Sequence, residues 1–107
     1  MASIERINLS NSSVRMNLKR TLGYAVRKRN GYYDDIRYID NNCGKTVESM
    51  AMAGFIHTGN TLKHETYSIT SLGDQYYSDV FGKLSYLKQR FLGKLDEYKQ
   101  KIFKREV

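Results

Sequence analysis

Apolar and polar positions along the chain follow two periodicities, one of which predicts helices and the other short strands. Apolar residues recur at helical spacing in the first third of the chain, at Val14, Leu18, Leu22, Ala25 and Val26. They share one face of a helix with 3.6 residues per turn, so the pattern predicts a first helix that packs through this face. Asn11, Ser12 and Ser13 precede the helix and are suitable N-cap residues.

Two further helices are predicted in the middle of the chain. Asn30-Gly31 is a helix stop of the left-handed type, and Asp34-Asp35 suit the start of a short second helix. The cluster Asp40-Asn41-Asn42 predicts a turn. A third helix is then expected from near Cys43 to about Ala53, with an apolar stripe at Val47, Met50 and Ala51.

The segment from Gly54 to Ile69 predicts two short strands around a polar tip. Phe55-Ile56 opens the first strand, and Gly59-Asn60 with Thr61 interrupts it. β-branched and aromatic residues then alternate from Thr66 to Ile69, as in a second strand. Thr70 or Ser71 can cap the helix that follows, and Asp74 is placed to complete a capping box with Ser71.

The order of these elements resembles the winged helix-turn-helix superfamily of DNA-binding proteins. Thr46-Val47, Met50 and Gly54-Phe55-Ile56 resemble a recognition helix ending at glycine before a strand, and residues 67–77, Tyr-Ser-Ile-Thr-Ser-Leu-Gly-Asp-Gln-Tyr-Tyr, resemble the second wing strand and last helix. The resemblance covers about residues 14–80. It implies a mainly α fold with a small β-hairpin wing, an α+β class.

The last third of the chain predicts a long helix that extends beyond a winged-helix domain. From Ser71 to about Lys104 only isolated glycines interrupt the helical pattern, so we expect a single rod of roughly 50 Å. The domain boundaries are therefore an N-terminal arm at 1–13, a winged-helix body at 14–70, and a long C-terminal helix at 71–107. An intramolecular helical hairpin is the alternative.

A heptad register fits this rod and predicts a homodimer. The expected dimerisation residues are Phe81, Leu84, Lys88, Phe91, Leu95, Tyr98 and Ile102. In a parallel pair Lys94 and Lys99 would repel each other across the interface, so an antiparallel pair, or wrapping on the first helix of the second copy, is preferred.

Charge is divided unevenly along the 107 residues. The chain carries a formal net charge of +7, with seven basic residues against one acidic residue at 1–29 and eight against three at 83–107. Residues 30–82 hold seven acids and three bases. Basic ends suit a polyanion, so double-stranded DNA is the expected partner; ordinary solubility is the alternative.

The resemblance and the charge together indicate candidate DNA-binding residues in three places. They are Lys45, Thr46 and Ser49 on the third helix, Asn60, Lys63 and His64 at the wing tip, and Arg15, Lys19 and Arg20 on the first helix. The third helix would enter a major groove while the wing touches the backbone. Segment 33–54 holds four acids and two bases, which instead favours a protein-interaction or adaptor module.

Other chemistry has little support in the sequence. The single cysteine, Cys43, is expected to be a partly buried structural thiol; a thiol made reactive by the nearby helix N-terminus is the alternative. His57 and His64 lack the further ligands that a metal site needs. No catalytic constellation is visible, so we expect no enzyme, no metal and no cofactor. No segment has the pattern of a signal peptide or membrane span, and a cytoplasmic transcriptional regulator is the expected class.

Overall fold

The computed structural model describes the backbone of residues 11–106 and the side chains of residues 11–103. It contains five helices and three strands in this part of the chain. In order they are α1 (Ser12–Lys28), β1 (Asn30–Tyr32), α2 (Tyr33–Ile39), α3 (Lys45–Met52), β2 (Ile56–Asn60), β3 (Glu65–Ile69), α4 (Ser71–Phe81) and α5 (Lys83–Glu106). Most of the arm predicted at 1–13 lies outside the described residues.

The three strands form one small antiparallel sheet, and the rest of the described chain is mainly helical. The strand order is β1-β3-β2, with Gly31 opposite Tyr67 and Thr58 opposite Tyr67 on the other side. The predicted α+β class with a small hairpin is therefore confirmed. The third strand, β1, joins the hairpin directly after α1.

A single core joins the helices to the sheet. Apolar side chains from α1, α2, α3, the strands and α4 pack together with almost no exposure; they include Leu18, Leu22, Val26, Ile36, Val47, Met50, Phe55, Ile56, Tyr67 and Tyr77. The aromatic rings of Tyr77 and Phe81 lie 5.2 Å apart at the end of this core. The periodic positions predicted for α1 and α3 are buried, except Val14 and Ala51, which are half-buried.

Helix α1 ends in a way the sequence did not predict. The left-handed residue is Arg29, with φ of 66°, and its N–H donates to the carbonyl of Ala25. Asn30 and Gly31 lie in β1 instead. A positive φ is unusual for a residue other than glycine. The Arg29 guanidinium makes two hydrogen bonds to Asp74 of α4, at 2.7 and 2.8 Å.

The prediction of one unbroken rod from Ser71 is wrong at Gly82. Thr70 caps α4 by accepting from the N–H of Gly73, and the helix ends at Gly82, whose φ is 100° and ψ 147°. A residue with a Cβ is strained at this φ, so the glycine permits a sharp change of direction. Helix α5 therefore folds back along α1.

The contact between α5 and α1 is close. Gly93 faces the backbone of α1, where a Cβ would overlap the carbonyl oxygen of Arg27. Beside it, Asp96 accepts from Arg27 at 2.8 and 3.0 Å and from Lys28 at 3.4 Å. Much of the C-terminal helix is thus packed on its own domain, as in the alternative of an intramolecular hairpin.

Candidate nucleic-acid interface

The turn between α2 and α3 is fixed by a side chain from α1. The Asn17 amide nitrogen donates to Asp40 Oδ1 at 2.8 Å and to Thr46 Oγ1 at 3.0 Å, and Asn17 Oδ1 accepts from the N–H of Asn41 at 3.0 Å. Both the amide nitrogen and the amide oxygen of this one side chain therefore hold the two ends of the turn. The angle between α2 and α3 is therefore set by α1.

Asp40 gives the start of α3 its cap. Its carboxylate accepts from the N–H of Val47 at 3.0 Å and from the N–H of Asn42 at 2.8 Å. Burial raises the pKa of Asp40, but the hydrogen bonds from Asn17, Asn42 and Val47 together outweigh it and lower the pKa below its ordinary value. The charged carboxylate is thus the form that orders the turn.

One face of α3 is open to solvent. Lys45, Glu48 and Met52 are exposed and follow each other at i, i+3 and i+7, which places them on one side of the helix. The side chain of Ser49 is half-buried, and its hydroxyl donates to the carbonyl of Lys45. Lys45 therefore lies on the exposed face of α3, as predicted, and Glu48 lies next to it on the same face.

Thr46 does not lie on this face. It is 7% exposed, and its hydroxyl accepts the hydrogen bond from Asn17. The prediction that Thr46 contacts DNA is therefore wrong. The Thr46 side chain lies against α1, where its hydrogen bond with Asn17 connects the start of α3 to α1.

The tip of the β2–β3 hairpin stands beside α2 and α3. Thr61 and His64 exchange hydrogen bonds across the tip, and Leu62 between them is fully exposed. The His64 ring packs against Tyr32 of β1, with ring centroids 4.9 Å apart. The predicted residues Asn60, Lys63 and His64 are all exposed here.

A polar cleft separates the hairpin tip from the two helices. Its lining comes from α2, α3 and the tip and consists of Tyr33, Asp34, Arg37, Glu48, Lys63, His64 and Glu65. Three carboxylates and two cations face it, so the cleft is close to neutral at pH 7. The residues that line the cleft are distant in the chain but close in the structure. They include both hydrogen-bond donors and hydrogen-bond acceptors.

The predicted basic residues of α1 are distributed differently. Arg15 donates to the carbonyl of Val80 at 3.4 Å and lies over the Phe81 ring, and Arg20 donates to the carbonyl of Ile39 at 3.2 Å. Both side chains interact with the ends of neighbouring helices, where they complement the negative carbonyl end. Lys19 is exposed.

The basic residues at the end of α1 form ion pairs within the protein. Arg27 and Lys28 bind Asp96, and Arg29 binds Asp74. These three positive charges fix α5 and α4 to α1. They contribute little to the charge that a nucleic acid would meet.

Sequence reasoning missed Arg37, Tyr33 and Glu65 as residues of the cleft. Their proximity depends on how α2 lies against the hairpin, which no local pattern records. It also missed Asn17, whose only signal was a polar residue one position before the buried Leu18.

The exposed face of α5 carries most of the predicted dimerisation residues. Leu84 is 84% exposed, Phe91 62%, Tyr98 63% and Ile102 39%. Lys88 is exposed and Leu95 half-buried on the same side of the helix. Phe81 is different: it is 9% exposed and packs on Tyr77 in the core, so its prediction as a dimerisation residue is corrected.

Cys43 is exposed in the turn before α3, with φ of 57°, and α3 begins two residues later at Lys45. The expectation of a partly buried thiol is therefore wrong.

Within the part of the chain that the structure describes, no three histidine, cysteine or acidic side chains meet as a metal site. Nor does any helix there combine the length and apolarity needed to cross a membrane.

Comparison with known proteins found no matching family model, no matching curated protein and no matching solved structure.

Proposed function

We propose that the protein binds double-stranded DNA through α3 and the β2–β3 tip, in the manner of a winged helix-turn-helix, and acts as a homodimeric regulator or organiser of DNA. The observation that carries the proposal is the joint placement of two parts. Helix α3 presents Lys45 and Glu48 beside an exposed hairpin tip with Lys63 and His64, and a braced turn precedes α3.

The arrangement of elements supports this proposal. The order α1-β1-α2-α3-β2-β3 with a β1-β3-β2 sheet puts a two-helix turn unit next to a hairpin. An α-helix fits the major groove of B-DNA, and a hairpin beside it can reach the neighbouring backbone. The exposed face of α3 and the tip are then the two parts that would touch DNA.

The chemistry of the face supports contact with base edges more than strong charge attraction. Glu48 can accept from a cytosine amino group, and Lys45 and Lys63 can donate to guanine or phosphate oxygens. The cleft itself is nearly neutral. Each copy would then neutralise few phosphates, and two linked copies would be needed for tight binding.

The decisive experiment is a salt titration of binding to a duplex of about 20 base pairs, followed by fluorescence anisotropy. DNA binding by this face requires that Lys45→Ala and Lys63→Ala each weaken affinity and reduce the slope of log K against log salt by about 1. The matched control is Lys83→Ala, an exposed lysine at the start of α5. If all three substitutions act alike, the attraction is diffuse and the assigned face is wrong.

A second function is favoured by the same near-neutral cleft. An adaptor that binds another protein would use this surface and the exposed apolar face of α5 without contacting DNA. In that case duplex binding would be weak and almost independent of salt. The titration therefore separates the two functions.

A further inference from the structure

The apolar face of α5 lies on the side of the helix away from the protein body. Leu84, Leu87, Phe91, Leu95, Tyr98 and Ile102 fall within about 80° of each other at 100° per residue; these six residues are called the α5 stripe. Gly93 and Asp96, which contact α1, lie on the opposite side. Five of the six are at least 39% exposed. A row of this kind covers about 27 Å of helix surface.

We infer that two copies of the chain associate through their α5 stripes, laid antiparallel about a twofold axis that passes near residue 93. The inference rests on the homodimer of the proposed function and not on DNA contact. It names the surface, the occupant and the direction of packing, and it excludes a parallel pair and wrapping on the first helix of the second copy.

The spacing of the stripe is the reason for choosing a second copy. Leu84, Phe91, Leu95 and Ile102 follow each other at intervals of seven, four and seven residues. This spacing is the same read in either direction. Two antiparallel copies therefore bring Leu84 to Ile102 of the other copy and Phe91 to Leu95, with each pair occurring twice, as an isologous interface requires.

The polar residue Lys88, which lies beside the α5 stripe, fits the same register. Lys88 lies ten residues before Tyr98, and the two are equally distant from residue 93. In the antiparallel pair each Lys88 faces Tyr98 of the second copy, whose hydroxyl can accept from the ammonium group while its ring covers the lysine stem. In a parallel pair Lys88 would instead face Lys88.

The borders of the stripe also favour the antiparallel direction. In a parallel pair Lys94 of each copy would meet Lys99 of the other, which makes two repulsive contacts. In the antiparallel pair Leu92 meets Leu92 and Leu87 meets Lys101. Only the two Lys94 side chains then come together, near the axis, where they can extend into solvent.

The first test measures mass in solution without DNA. Sedimentation equilibrium of the wild-type chain between about 1 and 100 µM is expected to give a dimer. Phe91→Lys is expected to give a monomer with an unchanged circular dichroism spectrum, because Phe91 is already 62% exposed in the single copy. The matched control is Phe103→Lys: Phe103 is 70% exposed on the same helix but lies outside the stripe, and this variant should remain a dimer.

The second test fixes the direction of packing and does not depend on a destabilising substitution. In a Cys43→Ser background, chains carrying Leu84→Cys are mixed with chains carrying Ile102→Cys and oxidised. Antiparallel packing predicts a disulfide between the two kinds of chain. It predicts no disulfide between two Leu84→Cys chains, whose cysteines would be about 27 Å apart along the axis, too far for a bond.

Three results would overturn the inference. Disulfides between two Leu84→Cys chains would show parallel packing. A wild-type monomer at 100 µM would show that a second copy does not cover the stripe; sedimentation with vesicles of anionic lipid would then identify a membrane surface as its occupant. Equal loss of dimer in Phe91→Lys and Phe103→Lys would place the interface elsewhere. A dimer that fails to bind duplex DNA would leave the inference standing and remove only the proposed function.

Discussion

Asn17 Nδ2 donates to Asp40 Oδ1 at 2.8 Å, across 23 residues of chain. Both side chains are buried, and the pair lies behind the turn that leads into α3. A buried polar pair costs desolvation, which is offset only when the hydrogen bonds are complete. Here they are complete, so the pair acts as a brace that fixes the direction of α3 from inside the protein.

Removing this brace should destabilise the protein. We expect Asn17→Ala to lower the free energy of unfolding by about 2–3 kcal/mol, because three hydrogen bonds are lost and the Asp40 carboxylate loses a donor. Chemical denaturation followed by circular dichroism measures the change. Asn41→Ala is the control, since the Asn41 side chain is exposed; equal midpoints for both variants would contradict the role of Asn17.

The α1–α5 contact should make stability depend on pH in the acid range. The hydrogen bond from Arg27, with help from Lys28, lowers the pKa of Asp96 to about 2, against the opposing effect of burial. A carboxylate with a lowered folded-state pKa stabilises the fold above its unfolded value of about 4. This contribution is therefore present at pH 7 and is lost as the pH falls from about 4 to 2.

Asp96→Asn tests this dependence. The variant should be less stable than the wild type at pH 6, and the difference should shrink as the pH approaches 2. Thermal unfolding at several pH values gives the comparison. Glu97→Gln, at an exposed neighbour on the same helix, should leave the pH profile unchanged. A constant difference between Asp96→Asn and wild type at every pH would exclude the ion pair as its cause.

A side chain at position 93 should lift α5 from α1. A Cβ there would overlap the Arg27 carbonyl oxygen, and a backbone atom inside a helix cannot move aside at low cost. Gly93→Ala gains about 1 kcal/mol of helix propensity, but overpacking costs about 1–3 kcal/mol. We expect net destabilisation in urea; Lys94→Ala, at the adjacent exposed residue, should show none.

Substitution of Gly82 should act on the break between α4 and α5. No atom lies within 4 Å of a Cβ built at this glycine, so the penalty of Gly82→Ala comes from φ of 100° alone, about 1–3 kcal/mol. Alanine favours the helical conformation, which would extend α4 into α5. We expect higher helicity by circular dichroism together with loss of the pH dependence assigned to Asp96.

The charge of the α3 face gives a direct prediction for DNA. Glu48→Gln removes a negative charge from the cleft and should tighten binding to an arbitrary duplex by at least about twofold at low salt. Asp79→Asn, an exposed acid on α4, serves as the control. Equal effects of the two substitutions on anisotropy titrations would place the DNA elsewhere on the surface.

Local patterns predicted the parts of the fold that depend on local interactions. The spacing of Leu18, Leu22 and Val26 was sufficient for α1, and the alternation from Thr66 to Ile69 was sufficient for β3. The break at Gly82 was not predicted, because an isolated glycine is tolerated in a helix. Contacts between residues distant in the chain, such as Gly93 against α1 and Asp96 with Arg27, distinguish a folded-back helix from a rod. Tertiary packing determined this part.

The candidate interface was predictable to a similar degree. Lys45, Lys63 and His64 are exposed as expected. Thr46 was misplaced because helical periodicity cannot tell which of two adjacent polar residues turns toward a neighbouring helix. The use of Arg27 and Arg29 in ion pairs was equally invisible, since their acidic partners are 69 and 45 residues away. Charge runs in sequence therefore overestimated the free positive surface.

Cys43 is the one thiol in the chain and is exposed on the turn between the brace and α3. A maleimide dye would therefore attach at a single defined place on the native protein, without prior mutagenesis. Its emission would report from the edge of the surface assigned to nucleic acid, so the first binding measurements can use the wild-type sequence.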